Sequence, residues 1–250
     1  MTTALSVNLN KVALIRNSRT GNFPDVTEFG RICLDSGAAG LTVHPRPDQR
    51  HIRPSDVREL AALCHASTQV EFNIEGNPFA AASGNYPGLL ALVAETNPDQ
   101  CTLVPDSNDQ LTSDHGFDLY KSGETLKPII QQLHAQGVRV SLFMDPDPEQ
   151  IVLAHKYGVE RIELYTGPYA EHYGTPAGDK MLQHYRLATE HAVKLGLQVN
   201  AGHDLNLDNL PDFLRIGNIA EVSIGHALTV DALRMGMASA VEAYRAICEQ

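Results

Sequence analysis

Residues 44–54, HPRPDQRHIRP, place three arginines and two histidines in one proline-rich run of a chain whose formal net charge is −11. Pro45, Pro47 and Pro54 restrict the backbone, which lowers the entropic cost of presenting Arg46, Arg50, His51 and Arg53. An arginine fork matches phosphate oxygens in bidentate fashion. The run therefore reads as a phosphate clamp with His44, an acid–base candidate, at its root. A second anion site is signalled by NAGHDLN (200–206) and SIGHALT (223–229). Gly202 and Gly225 permit close backbone approach there, and a helix N-terminus following such a turn attracts anions. Two anion sites suggest two phosphorylated groups. Between them stand His44, Glu71 and His203, a set suited to moving protons. A metal centre is a rival use of His44, Glu71, His203 and His226, but no HxH or HExxH spacing occurs.

These residues need a frame. β-Branched-rich runs recur at 5–10, 40–45, 69–75, 100–105, 139–145, 161–167, 198–203 and 221–226. Segments of helical spacing lie between them at 25–37, 55–66, 126–137, 147–158 and 180–196, and several end in glycine, a helix-stop signal. Strand–helix alternation implies parallel βαβ units. Eight such units over residues 1–250 predict an α/β fold, a single-domain (β/α)8 TIM barrel. Extra helical or loop insertions are expected at its C-terminal face, where the connections 76–88, 106–124 and 167–179 are long enough for a lid or a subunit contact.

The strand runs alternate in polarity. Asn8 and Asn10, Thr42 and His44, Glu71, Asn73 and Glu75, and Glu163 each occupy one parity of their run. In a barrel wrapped by helices the outer face is apolar, so this polar parity points inward. Buried polar groups then need partners or a ligand.

The acidic balance argues against nucleic acid and anionic membranes as partners, since both call for an extended basic surface. No apolar run approaches the length of a membrane span, and the N-terminus lacks a secretory pattern, which predicts a soluble cytoplasmic protein. Cys33, Cys64, Cys101 and Cys248 are scattered with no CxxC pair, as in reduced compartments.

VNLNKVALIRNSR, GLTVHPRPDQRHI, TLVPDS, LTSDHG, VSLFMD, IELYTGPYA, VNAGHDLN and IGHAL follow one another along nearly the whole chain. Together they closely resemble the pyridoxine 5′-phosphate synthase family. The resemblance implies a (β/α)8 barrel that assembles as a homo-oligomer of dimers, up to an octamer. It implies condensation of 1-deoxy-D-xylulose 5-phosphate with 3-amino-2-oxopropyl phosphate, with no metal or organic cofactor. It marks His44 and Glu71 as proton acceptors and His203 as proton donor. Asn10, Lys11, Arg46, His51 and Thr112 would bind the deoxyxylulose phosphate. Asn8, Arg19, Asp204, Gly225 and His226 would bind the aminoketone phosphate. The chain departs from the family's best-known branch at Asn10-Lys11, where that branch has Asp-His, and at Asp204, where it has glycine. Two other readings stand beside this one: another phosphosugar aldolase or isomerase, with Lys11 as its imine-forming candidate, and a non-catalytic phosphometabolite-binding barrel.

Overall fold

A computed structural model describes residues 2–107 and 109–250. Its strands are β1 (Ala4–Asn8), β2 (Gly40–Val43), β3 (Glu71–Gly76), β4 (Gln100–Leu103), β5 (Arg139–Met144), β6 (Arg161–Tyr165), β7 (Gln198–Gly202) and β8 (Ile219–Ile224). They close in sequence order into one parallel barrel, with β8 pairing β1. The helices are α1 (Asn10–Asn17), α2 (Val26–Asp35), α3 (Pro54–His65), α4 (Leu89–Thr96), α5 (Leu119–Ala135), α6 (Pro148–Tyr157), α7 (Gly167–Glu171), α8 (Pro176–Lys194), α9 (Leu210–Leu214), α10 (His226–Met235) and α11 (Met237–Cys248). The (β/α)8 expectation holds, and three helices exceed the eightfold alternation, α1 after β1, α7 after β6 and α10 after β8.

Local chemistry explains the boundaries. Asp25 and Asp147 cap α2 and α6 by accepting the amides of Thr27 and Glu149, each at 2.8 Å. Pro148 occupies the first turn of α6, and Gly158 closes it in the left-handed conformation that glycine adopts without strain. Among the described residues, no helix is long and apolar enough to cross a membrane.

The two strand parities separate as their chemistry requires. Leu41, Val43, Phe72, Ile74, Val140, Leu142, Ile162 and Leu164 are fully buried in the apolar layer between barrel and helices. The opposite parity fills the interior with polar groups. Ser6 Oγ and Thr42 Oγ1 lie 2.7 Å apart, Asn73 Nδ2 donates to Thr42 Oγ1 at 3.4 Å, and Thr102 Oγ1 donates to Asn73 Oδ1 at 3.1 Å. Ion pairs Arg139–Glu71 and Arg161–Glu221 occupy the N-terminal end. Most barrels of this kind fill their interior with branched apolar side chains; this one instead links the two ends by polar groups.

Three local expectations change. Asn10 opens α1 rather than ending β1. The 106–124 connection is shorter than expected, because α5 starts at Leu119. The 167–179 connection is not a loop but α7 followed by the first turn of α8, and the buried Tyr169 packs against Tyr185 and Phe213. The 76–88 segment is irregular, with an isolated bridge between Ser83 and Tyr86.

Candidate active site

The C-terminal mouth encloses a cavity of about 320 Å³. The β2 loop supplies one wall. Asn10 Oδ1 accepts the His44 amide at 2.9 Å, fixing the histidine backbone to the first residue of α1. Farther along, Arg16 is buried and binds Asp56 at 2.5 Å and 2.8 Å and the His51 carbonyl at 3.0 Å. Asn17 Nδ2 donates to the same carbonyl at 2.8 Å. The loop is thus fastened from beneath, and Arg53 belongs to this support through Asn17 Oδ1 at 2.7 Å. Arg50 bonds Asp48 at 2.7 Å and the Gln110 carbonyl at 2.7 Å.

His51 Nδ1 accepts the Ile52 amide at 2.9 Å, which leaves the ring proton on Nε2. Burial, reinforced by Arg46, Arg50 and Lys11, lowers its pKa to about 3. His51 is therefore a neutral N–H donor beside the Arg46 guanidinium, a pairing suited to a phosphate.

His44 stands between two carboxyl groups. Its Nδ1 is 3.8 Å from Glu75 Oε2 and its Nε2 is 3.6 Å from Asp106 Oδ2. Burial and the neighbouring Arg46 push its pKa well below the usual imidazole value. Burial, with Asp106 and Glu221 nearby, raises Glu75 to about 8. Glu163, buried beneath the cavity floor, is raised well above the usual carboxylate range by burial and by Glu75. At neutral pH the floor therefore holds protonated carboxyl groups facing a neutral imidazole.

His203 faces them from the end of β7. Its Nε2 is 2.9 Å from Thr112 Oγ1, and Phe143 and Tyr165 present ring edges with centroids at 6.2 Å and 5.3 Å. His203 and Asp204 both have positive φ, 94° and 57°. Non-glycine residues rarely adopt this region, and surrounding contacts must hold them there. Thr166 Oγ1 donates to the His203 carbonyl at 2.6 Å, and Asn209 Nδ2 to that of Asp204 at 3.1 Å. Burial lowers the His203 pKa, with Asp204 and Asp106 opposing the shift.

The second anion region lies where β8 enters α10. A Cβ on Gly225 would meet Asn8 Cβ at 3.0 Å and the Asn8 carbonyl at 3.1 Å, so glycine lets this turn lie against the end of β1. Asn8 Oδ1 in turn accepts the Asn10 amide at 3.0 Å. His226 begins α10, and Gly225, His226 and Ala227 line the cavity.

Of the residues singled out from sequence, Asn8, Asn10, Lys11, His44, Arg46, His51, Thr112, His203, Asp204, Gly225 and His226 line this one cavity. Glu71 and Arg19 do not. Glu71 begins β3 at the opposite end of the barrel, in the small cavity that also holds Arg161 and Glu221. Burial raises its proton affinity, but the Arg139 ion pair outweighs that and holds it below the usual carboxylate value. It has no access to His44 or His203, and its place at the mouth is taken by Glu75. Arg19 lies beyond α1, is exposed, and donates to the Ser18 carbonyl at 2.9 Å. Sequence reasoning placed Glu75 and Glu163 on the inward face without singling them out for this cavity, which both line, and it missed Asp106 beside His44. Among the described residues, no group of three His, Cys, Asp or Glu side chains is arranged to hold a metal ion.

The family model for pyridoxal phosphate biosynthesis protein PdxJ matches residues 5–250. The chain belongs to the PdxJ family. A pyridoxine 5′-phosphate synthase of Xanthomonas axonopodis pv. citri is 52% identical over 245 residues, covering 98% of this chain and 96% of the relative. That of Albidiferax ferrireducens is 51% identical over 245 residues with the same coverage, and that of Xylella fastidiosa 51% over 243 residues, 97% of this chain and 93% of its own. Among solved structures, KGPDC from Streptococcus mutans superimposes with a TM-score of 0.63 at 11% identity, covering 99% of this chain and 98% of its own. A variant tryptophan synthase α-subunit from Pyrococcus furiosus gives 0.62 at 12%, covering 99% and 96%. These two likenesses show the barrel fold alone. In this PdxJ chain, His44, Glu75 and His203 stand at or near the ends of β2, β3 and β7 and share one cavity with Arg46, His51, Gly225 and His226.

Proposed function

We propose that the chain is a pyridoxine 5′-phosphate synthase, joining 1-deoxy-D-xylulose 5-phosphate and 3-amino-2-oxopropyl phosphate into pyridoxine 5′-phosphate with release of inorganic phosphate and water. The observation that carries the reading is the gathering of these groups in one cavity: Arg46 and His51, His44 with Glu75, His203, and Gly225 with His226 at the start of α10.

In this reading Arg46 and His51 hold the phosphate of the deoxyxylulose substrate. The α10 N-terminus, with Asn8, holds the aminoketone phosphate. Fixing both ends converts an encounter of two flexible molecules into one oriented event. The amine adds to the ketone, and water leaves to give an imine. Phosphate is expelled, a carbon–carbon bond closes the ring, and a second net water leaves as the ring becomes aromatic. Each step adds, removes or moves a proton, and neighbouring acids and bases supply that work. Glu75, protonated at rest, can give a proton to a departing hydroxyl and take one from carbon once ionised. His44, held neutral, accepts beside it. His203, hydrogen-bonded to Thr112, donates across the cavity. Arg46 neutralises charge on the leaving phosphate. No cofactor enters this sequence.

The same reading places the protein in the cytoplasm as a homo-oligomer built from dimers. Leu14 and Ile15 on α1 and Leu233 and Met235 on α10 are exposed apolar side chains suited to subunit contact; sedimentation of the purified protein tests it. Incubating the protein with both substrates and detecting pyridoxine 5′-phosphate tests the activity. Turnover of a single phosphosugar, or borohydride trapping of Lys11, would favour an aldolase instead.

A further inference from the structure

Asp106 lies in the first turn after β4, and nothing in its sequence spacing marks it. Its backbone is held by the barrel mouth: the Val104 amide donates to the Gly76 carbonyl at 2.9 Å, and Asn77 Nδ2 donates to the Asp106 carbonyl at 2.6 Å. The side chain is buried, 5% exposed for the residue as a whole. One oxygen, Oδ2, accepts from Arg46 Nη2, accepts from Ser113 Oγ at 2.9 Å, and lies 3.6 Å from His44 Nε2. Burial raises the pKa of this carboxyl, and Arg46 and Ser113 pull it back toward the ionised form. Here the partners are a proposed phosphate ligand and a proposed base.

We propose that Asp106 is a positioning residue for the β2 loop: it holds Arg46 in place and selects the Nε2–H tautomer of His44, so that the Nδ1 lone pair faces Glu75. The inference rests on the reaction proposed above. The two ring nitrogens of His44 see different groups. Nε2 faces Asp106, an acceptor already committed to Arg46 and Ser113. Nδ1 faces Glu75, which carries its proton at neutral pH and can donate. Burial disfavours an imidazolium there, and Arg46, His51, His203 and Arg50 act in the same direction. A carboxylate on one side and a carboxylic acid on the other therefore select one tautomer of a neutral ring. Asp106 also acts as an internal anion on Arg46. Incoming phosphate must share the guanidinium with it, which spends some affinity on keeping the fork aligned before substrate arrives.

That division gives a signature a merely structural residue lacks. Asp106→Asn keeps the shape and removes the charge. Inorganic phosphate should bind the variant about threefold to tenfold more tightly by calorimetry, while kcat falls about 10-fold to 100-fold without a rise in KM for the deoxyxylulose phosphate. Ser113→Ala, which withdraws one donor and leaves the carboxylate leaning on Arg46, should weaken phosphate binding instead. This second variant serves if Asp106→Asn does not fold. In the unaltered protein, ¹⁵N spectra of labelled histidine, assigned with a His44→Gln control, should show His44 protonated at Nε2. An Nδ1–H tautomer, or phosphate binding that is unchanged or weaker in Asp106→Asn, overturns the proposal. Phosphate binding and the ¹⁵N spectra need no turnover. If the unaltered protein made no pyridoxine 5′-phosphate, the reaction would fall while the Asp106 readings still reported on their own.

Discussion

Glu75 Oε2 lies 3.8 Å from His44 Nδ1, with both side chains almost wholly withdrawn from solvent. Neither group is a strong acid or base in that setting. Burial favours the neutral form of each, so the pair rests as a carboxylic acid beside an imidazole. A proton can pass between substrate and either group without leaving an isolated charge in the barrel. Asn8 Nδ2 donates to Glu75 Oε2 at 3.4 Å, at the edge of hydrogen-bond distance.

Glu75→Gln should fold and lose about 10²–10⁴-fold in turnover, the usual scale for one acid–base group. Glu71→Gln should retain activity within a few-fold. It breaks only the Arg139 pair at the far end, whose side chains are 22% and 45% exposed, so stability should change by less than about 1 kcal/mol. Parallel steady-state assays of the two variants check this, and the reverse order of effects would return the acid–base role to Glu71.

The confusion between these two glutamates has a physical origin. Alternation along a strand tells which face a residue occupies, not how high it stands in the barrel. Glu71, Asn73 and Glu75 share the inward parity. Their heights follow from register: Gly40 pairs Glu71, and Val43 pairs Ile74, so one further step sets His44 beside Glu75. The histidine at the end of β2 was legible in the sequence, and counting from it would have located its partner. Asp106 and Arg16 carried no such signal, because their charged partners Arg46 and Asp56 lie tens of residues away and meet them only when the barrel closes. The strand–helix alternation and the basic clamp were legible because both are written in local composition. The α7 segment was not, since its buried Tyr169 gains its place from α8 and α9 rather than from its own periodicity.

Stability should depend on pH in two windows. Glu75 is raised to about 8, so from the unfolded carboxylate value near 4.5 up to about 8 the folded state keeps a proton that the unfolded chain has lost. Stability therefore falls as pH rises through that range, by at most about 1.4 kcal/mol per pH unit for one such group. His51 is lowered to about 3, so below the unfolded histidine value of 6.5 the unfolded chain binds the extra proton. Its contribution is present above 6.5 and is lost as pH falls toward 3. Thermal melts should show Glu75→Gln flattening the alkaline slope and His51→Gln flattening the acid one. Parallel curves for all three proteins would contradict these burial assignments.

Exhaustive chelation should leave turnover unchanged, because the proposed steps draw on side chains and backbone amides of the protein alone. Recovery of a lost activity on adding zinc or another divalent ion would move the reading toward a metal centre.

Lys11 and Asp204 line the same cavity and act on the same ring with opposite sign: Lys11 lowers the proton affinity of His203 and Asp204 raises it. The pair is a place where a local change in charge can be balanced. If His203 donates its proton during turnover, the fraction protonated limits the rate on the alkaline side. Asp204→Asn removes the anion, lowers the His203 pKa further, and should draw the alkaline limb of kcat to lower pH. Lys11→Met removes the cation and should move the same limb to higher pH. The double variant should return it near the starting position, since both effects converge on one imidazole. Asp204→Gly supplies a further control: it removes the charge and also relieves a positive φ of 57°, so it should match Asp204→Asn in the pH profile while gaining stability by up to about 1 kcal/mol. Limbs that shift in the same direction in Lys11→Met and Asp204→Asn would show that these side chains act on the substrates' phosphates rather than through His203.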